Sequence, residues 1–180
     1  MRKTTFYLSL LFLIINFSSF SQNNKAESKP ASKLELHSVS ISPIDIYFDD
    51  HTGGISLKLD FTLNKDRHIF KLQGVVNQEF KMNLLGETSS PESLYEINLL
   101  YGREFSLNKW LYYDVFGGVG FFNISNFDDK NKGNTTIGFP IQNRLRFQTK
   151  GKFGGGLQFQ VNLNSLNTIY SPGIFFQLRW

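Results

Sequence analysis

From Lys152 to Asn164 the chain alternates strictly between two kinds of residue. Phe153, Gly155, Leu157, Phe159, Val161 and Leu163 fall on one side, and Lys152, Gly154, Gly156, Gln158, Gln160, Asn162 and Asn164 on the other. The stretch before it sets Ile137, Phe139, Ile141, Leu145 and Phe147 against Gln142, Arg144, Arg146, Gln148 and Lys150. The last stretch opposes Ile174, Phe176, Leu178 and Trp180 to Gly173, Gln177 and Arg179, with Phe175 out of step. A side-chain period of two belongs to extended strands, because successive Cβ atoms point to opposite faces. Each of these strands has one apolar and one polar face, and the fold has to use both.

The same reading extends upstream. Ile55, Leu57, Leu59, Phe61 and Leu63 alternate with Ser56, Lys58, Asp60, Thr62 and Asn64, ahead of a tight turn at Asn64-Lys65-Asp66-Arg67. A third strand, about His68 to Asn83, opposes Phe70, Leu72, Gly74, Val76, Phe80 and Met82 to Lys71, Gln73, Asn77, Glu79 and Lys81. Leu84 to Leu94 reads as a loop. The fourth strand sets Tyr95, Ile97, Leu99, Tyr101 and Phe105 against Glu96, Asn98, Gly102, Glu104 and Ser106, with Arg103 misplaced on the apolar side. The fifth sets Leu111, Tyr113, Val115, Val119 and Phe121 against Tyr112, Asp114, Gly118 and Gly120, and Ser125 to Thr135 reads as polar loop. The first strand, Leu34 to Phe48, is the least regular. Leu34 and Leu36 share one parity and Val39 and Ile41 the other, which predicts a bulge or break near Ser42-Pro43. Asp49 to Gly54 follows as a turn-rich loop.

Eight strands result. The turns NKDR, SLNK and TKGK are tight, and the other links read as longer, more polar or turn-rich. Short turns gathered at one end are the mark of an up-and-down barrel. The strands run roughly 10–15 residues against about 5–6 in ordinary globular sheets, which favours a membrane barrel over a sandwich.

Ahead of this region, Met1 to Ser21 has the three parts of a secretory leader. Arg2-Lys3 is the charged start, Phe6 to Phe17 the apolar stretch, and Ser19-Phe20-Ser21 a small-x-small cleavage site before Gln22. The apolar run is shorter than the roughly 20 residues a spanning helix needs. Gln22 to Lys33 has almost nothing to bury and is expected to be a disordered periplasmic tether, leaving 34–180 as one domain. The formal charge of +4 falls to +2 without Arg2 and Lys3, and no basic helix or aromatic–basic motif suggests nucleic acid. With no cysteine, disulfides, thiolate metal sites and a lipidated N-terminal cysteine are excluded.

Two barrels share this strand count. A soluble, lipocalin-like carrier points its apolar set inward; a membrane barrel points it at lipid and fills its lumen with the polar set. Aromatic residues make up 16% of a chain whose mean hydropathy is negative. They recur near strand ends on the apolar set: Phe70, Phe105, Phe153 and Trp180 at the short-turn end, Phe80, Tyr95, Phe121 and Phe139 at the other. Two such girdles mark two bilayer interfaces. Glycines fall in the polar set (Gly102, Gly118, Gly120, Gly138, Gly154, Gly156), where they make room for large inward neighbours. A closed barrel also satisfies every backbone group in lipid. The expected lumen carries Lys58, Lys71, Lys81, Arg144, Arg146 and Arg179 with Asp60, Glu79, Glu96, Glu104 and Asp114. In a space only wide enough for side chains, these charges have to pair, which predicts a plug rather than a pore.

The leader ending in Ser-Phe-Ser-Gln, the run Thr136 to Gln142, and the closing Gly173 to Trp180 carry a resemblance. Over roughly Leu34 to Trp180 the chain resembles the small outer-membrane β-barrel family of Bacteroidota-type Gram-negative bacteria. Its architecture is similar to the OmpA transmembrane domain and OmpX-like proteins. The resemblance implies an all-β, eight-stranded antiparallel up-and-down transmembrane β-barrel in the outer membrane, in contact with its lipid and lipopolysaccharide. It further implies recognition by the outer-membrane assembly machinery through the C-terminal strand and its terminal aromatic. It brings no shared catalytic motif, and so no activity, cofactor or protein partner.

The residues that could carry chemistry are few. His37, His51 and His68 could serve a lipid-modifying hydrolase, but the register pairs none of them with a serine nucleophile. Asp49, Asp50 and His51, or Asp128 and Asp129, lack the spaced oxygens of a calcium loop. Gly117 to Gly120 and Gly154 to Gly156 precede strands, not the helix that a phosphate-binding loop requires. Lys65, Arg67, Lys109, Lys150 and Lys152 gather at the short-turn end, either to meet anionic groups or as ordinary solvated turn charge. No catalytic, cofactor or metal residue is expected. The reading is a non-enzymatic outer-membrane barrel in a structural or interaction role.

Overall fold

A computed structural model describes residues 33–49, 53–66, 68–79, 92–126 and 134–180. The expected leader and all of the expected tether but Lys33, together with Asp50, His51, Arg67, Phe80, Lys81, Met82, Asp128 and Asp129, lie outside them. Eight strands follow in order: β1 (Glu35–Phe48), β2 (Gly53–Lys65), β3 (His68–Glu79), β4 (Glu92–Ser106), β5 (Leu111–Asn126), β6 (Asn134–Gln148), β7 (Phe153–Asn164) and β8 (Thr168–Arg179). Each pairs antiparallel with the next, and β1 pairs with β8 to close the barrel. Closure leaves no free edge of unpaired N–H and C=O groups.

The exposure of the two faces decides what kind of barrel this is. Leu57, Leu59 and Phe61 of β2, Ile97 and Leu99 of β4, and Leu157 and Phe159 of β7 are all exposed on the outside. Their neighbours Lys58 and Asp60 are 1% and 0% exposed. A soluble carrier would show the reverse, so the lipocalin-like alternative does not fit. On β7 the outward apolar set runs from Phe153 to Leu163, the 9–11 tilted residues that span a bilayer.

Three boundaries differ from the sequence reading. β4 starts at Glu92, so Ser93 and Leu94 belong to a strand and not to the preceding loop. β5 and β6 extend to Asn126 and back to Asn134, which shortens the polar loop between them. The link between β7 and β8 is only residues 165–167, as tight as the turns at the other end. Asn164 closes it by accepting the N–H groups of Leu166 and Asn167 on Oδ1, both at 2.9 Å. Local side-chain capping of this kind allows a short turn without glycine. At the opposite end, Asp66 turns the β2–β3 hairpin with a φ of 58°, a conformation Asp tolerates better than most residues.

β1 is irregular, as its parity suggests. Its register against β2 shifts between Leu36 and Ser38 and again between Ser42 and Asp45, one extra residue each time. The first bulge turns both His37 and Ser38 inward; the second leaves Pro43 and Ile44 both outward.

Candidate functional site

The chemistry of this molecule lies in its lumen, a stack of charged and amide side chains contributed by all eight strands. The lowest layer, at the short-turn end, is organised by Arg146. Its Nε donates to Asp114 Oδ2 at 3.0 Å and its Nη2 to Asp114 Oδ1 at 3.2 Å, while Nη2 also reaches Glu104. The guanidinium lies over the Tyr112 ring, 4.6 Å from its centroid. Asp114 and Arg146 are cross-strand neighbours, Asp114 facing Arg144 and Tyr112 facing Arg146 across the β5–β6 ladder.

The middle layer centres on Arg144 and Asp60. Arg144 Nη2 binds Asp60, Nη1 donates to Ser40 Oγ at 3.2 Å and Nε to Gln158 Oε1 at 3.0 Å. Asp60 also accepts from Ser40 Oγ and from Gln73 Nε2, each at 2.9 Å. Phe175, the residue out of step in β8, is fully buried here with the Arg144 guanidinium 4.4 Å above its ring. The misfit in the alternation is an inward aromatic serving as a floor for a buried cation. Lys71 uses the same device: its Nζ donates to Gln142 Oε1 at 2.6 Å and sits 3.4 Å from the centre of the Phe116 ring.

Toward the other end, Lys58 Nζ lies 2.8 Å from Asp45 Oδ2 and donates to Ser171 Oγ at 2.8 Å. Asp45 is 0% exposed and falls outside the expected lumen set. The second β1 bulge explains the omission, because it inverts the parity of every residue after Pro43. Gly173 of β8 is what admits this carboxylate: a Cβ there would overlap Asp45 itself. Glu96 is held by three amides, from Asn77, Asn98 and Asn162, at 2.8, 3.2 and 3.3 Å. Of the charges expected inside, Lys58, Lys71, Arg144, Arg146, Asp60, Glu96 and Asp114 are buried, and Glu104 and Arg179 are partly exposed at the mouth. Glu79 sits half-exposed at the end of β3, and Lys81 is outside the described residues.

Apolar side chains cap the stack. Tyr47, Leu94, Phe122 and Ile169 pack together inside the barrel at the long-loop end. Gly120 and Gly138, paired across β5 and β6, make room for the Phe122 ring and the Asn98 and Asn162 amides. Ile69, Leu100 and Phe116 form a second cluster nearer the other mouth. These positions share the polar parity, so the alternation alone hides them. A signal was available in the doublets Tyr47-Phe48, Ile69-Phe70, Leu99-Leu100, Phe121-Phe122 and Phe175-Phe176, in which one member has to face inward.

The short-turn mouth is open, with a cavity of about 530 Å³ whose lining includes His37, Asn64, Arg103, Glu104, Ser106 and Arg179. His37 brings together a set that the sequence did not pair: its Nδ1 is 3.1 Å from Ser38 Oγ and its Nε2 is 3.6 Å from Glu104 Oε2. The order serine, imidazole, carboxylate is that of a hydrolase. The accessibility is not, because Ser38 is 2% exposed and does not line the cavity. Glu104 is moreover committed to Arg146. A nucleophile has to reach its substrate, and this one is sealed behind its own base. His68 lies elsewhere, at the start of β3 on the outer face, with Nδ1 2.5 Å from Tyr101 Oη. Asp49 accepts from Asn167 Nδ2 at 3.1 Å. The glycine runs Gly117–Gly120 and Gly154–Gly156 lie within β5 and β7.

No protein-family model matches the chain, and no curated protein matches it in sequence. Solved structures do. The Neisserial surface protein A superposes with a TM-score of 0.66 at 10% identity, over 84% of this chain and 100% of that one. The N-terminal β-barrel domain of Pseudomonas aeruginosa OprF gives 0.53 at 11% identity, over 82% and 100%. The Yersinia pestis outer membrane protein Ail, in a phospholipid bilayer nanodisc, gives 0.53 at 13%, over 81% and 99%. At such identities the likeness is one of fold. The class is the eight-stranded antiparallel transmembrane β-barrel, the architecture of the small outer-membrane proteins.

Proposed function

We propose that this chain is a non-enzymatic outer-membrane protein with a closed lumen and a structural or interaction role in the envelope, whether in integrity, adhesion, or assembly and secretion. The observation that carries the reading is the inverted exposure, with Leu59 43% and Ile97 63% exposed outside while Asp60 and Arg146 are each 0% exposed inside. Water would penalise the first set and lipid the second, so only a bilayer suits both. Neighbours described as a surface protein and as an attachment invasion locus protein favour contact at the cell surface. In this reading 1–21 is a cleaved leader and 22–33 a periplasmic tether. The short turns face the periplasm, and the last strand presents itself to the assembly machinery. Outer-membrane lipid and lipopolysaccharide surround the wall.

Ionic layers stacked beneath an apolar cap support the reading of a closed lumen. In planar bilayers the protein is expected to pass no stepwise current; sustained openings would reject the closed lumen while leaving the location intact. The location is tested by fractionation and by electrophoresis of heated and unheated samples. A band in the outer membrane that shifts on boiling supports it. A stable monomer in detergent-free buffer would overturn it.

A further inference from the structure

The misplaced Arg103 of β4 is not alone. The pairing register sets Lys65 opposite His68, His68 opposite Arg103, and Arg103 opposite Val115. All four lie on the outward parity of their strands, so three basic side chains from three adjacent strands stand in one row on the outer wall, with Arg103 also bordering the mouth cavity. Lys65 ends β2, His68 begins β3, and Arg103 lies three residues before the end of β4, which places the row at the short-turn rim. Among the described residues Lys65 and Arg103 enter no ion pair. The carboxylate next to Arg103 in sequence, Glu104, faces the lumen and is held by Arg146. Asp66, in the turn beside Lys65, is the acidic residue next in line.

Immediately above this row the wall turns aromatic. His68 stacks on Tyr101 with centroids 5.8 Å apart, and Phe70 leans against Tyr101 at 5.5 Å. Tyr101 and Phe70 are both exposed outward; Phe105, also outward, lies on the other side of the row, toward the turn. A cationic row below a ring-lined wall complements a molecule that is anionic at one end and hydrocarbon at the other. We propose that Lys65, His68 and Arg103 seat the phosphate of an anionic phospholipid in the periplasmic leaflet, its acyl chains lying along Phe70 and Tyr101. Arg103 is the anchor, since its guanidinium forks onto phosphate oxygens while Lys65 acts as a point charge. An outward arginine is costly at the bilayer midplane but costs only about 0–1 kcal/mol near the interface, where its long stem lets it snorkel to the head groups. This inference rests on the membrane reading above and adds a lipid class and an address to it.

The test uses the mature chain, folded in detergent micelles with equal amounts of phosphatidylglycerol and phosphatidylethanolamine, and counts retained lipids by native mass spectrometry. Each cation near a membrane surface contributes roughly a fivefold preference for anionic lipid. Wild type should therefore retain phosphatidylglycerol preferentially, Arg103→Gln should lower that preference about fivefold, and adding Lys65→Gln should abolish it. Arg103→Lys should keep most of it. Lys150→Gln with Lys152→Gln, which removes as much charge from another turn, should leave it unchanged. Equal retention of the two lipids by wild type overturns the proposal and leaves the row to an acidic protein partner. An equal loss in the Lys150/Lys152 variant also overturns it, reducing the effect to diffuse charge. Boiling-dependent mobility is read on the same samples. Its absence in wild type would count against the barrel in lipid, a failure distinct from a folded barrel that shows no lipid preference.

Discussion

β1 and β2 lie side by side, and each delivers one carboxylate to the lumen, Asp45 from the first and Asp60 from the second. They reach that result by opposite routes. β2 alternates without a break from Gly54 to Thr62, so Asp60 faces inward simply by being even-numbered among inward neighbours. β1 contains two extra residues, and Asp45 faces inward only because the second of them reverses the parity that Ser38, Ser40 and Ser42 had set. Without that bulge Asp45 would meet hydrocarbon while Ile44 and Ile46 entered the lumen. The contrast shows that a bulge here is a device for aiming one charge.

Inserting one glycine between Ile44 and Asp45 should break the comparison most severely. It shifts Asp45 and the rest of β1 by one position, turns Asp45 to the lipid side and strips Lys58 of its carboxylate, a loss of at least the roughly 3–5 kcal/mol of a broken buried pair. The expected outcome is failure to refold, seen as absence of the heat-modifiable band; normal refolding would mean that the existing bulge absorbs the extra residue. Next come the two carboxylates themselves. Asp60→Ala and Asp45→Ala should each cost about 3–5 kcal/mol in urea unfolding from micelles or vesicles. Asp60→Ala should cost more, because Arg144, Ser40 and Gln73 all lose a partner, whereas after Asp45→Ala Lys58 keeps Ser171 and Gln158 keeps Ser42. The reverse order would show that the bulged strand carries more of the lumen's stability than the regular one.

A smaller effect sharpens the outer face. Leu59→Arg, at mid-height on β2, should destabilise by about 2–4 kcal/mol, and Leu63→Arg, near the rim, by about 0–1. Equal effects at both depths would argue against hydrocarbon around the barrel. Weaker than Leu59→Arg is a change on β8, where Gly173→Ala pushes a methyl group into the space of the Asp45 carboxylate. Overpacking of this kind costs about 1–3 kcal/mol, and combining it with Asp45→Ala should remove the added cost. If the two costs simply add, Gly173 has some other role.

Most of the wall was legible because its signal is local. Ile55 to Leu63, Phe153 to Leu163 and Ile174 to Leu178 are outward in the structure just as their spacing predicts, and Arg103 is outward despite its charge. The irregularity of β1 was legible as well, from the change of parity between Leu36 and Val39. The inward apolar residues were harder. In the sequence Leu94 reads as loop, since Gly86, Ser89, Ser90 and Pro91 precede it, and Phe122 and Ile169 occupy polar-parity positions. Their role depends on meeting one another across the barrel. The Ser38–His37–Glu104 contact was invisible for the same reason, as it needs the first β1 bulge and closure of the sheet.

The eight strands, their order and the division of the wall into two faces come from the sequence alone, because alternation is a property of successive Cβ atoms and needs no partner. Which charge meets which was decided by the closed barrel. Arg144 and Asp60 are 84 positions apart in the chain, and Lys58 and Ser171 are 113 apart. Electrostatic and hydrogen-bond partners are selected by distance in space, and here that distance is set by the register at which eight strands, one of them twice bulged, join into a ring.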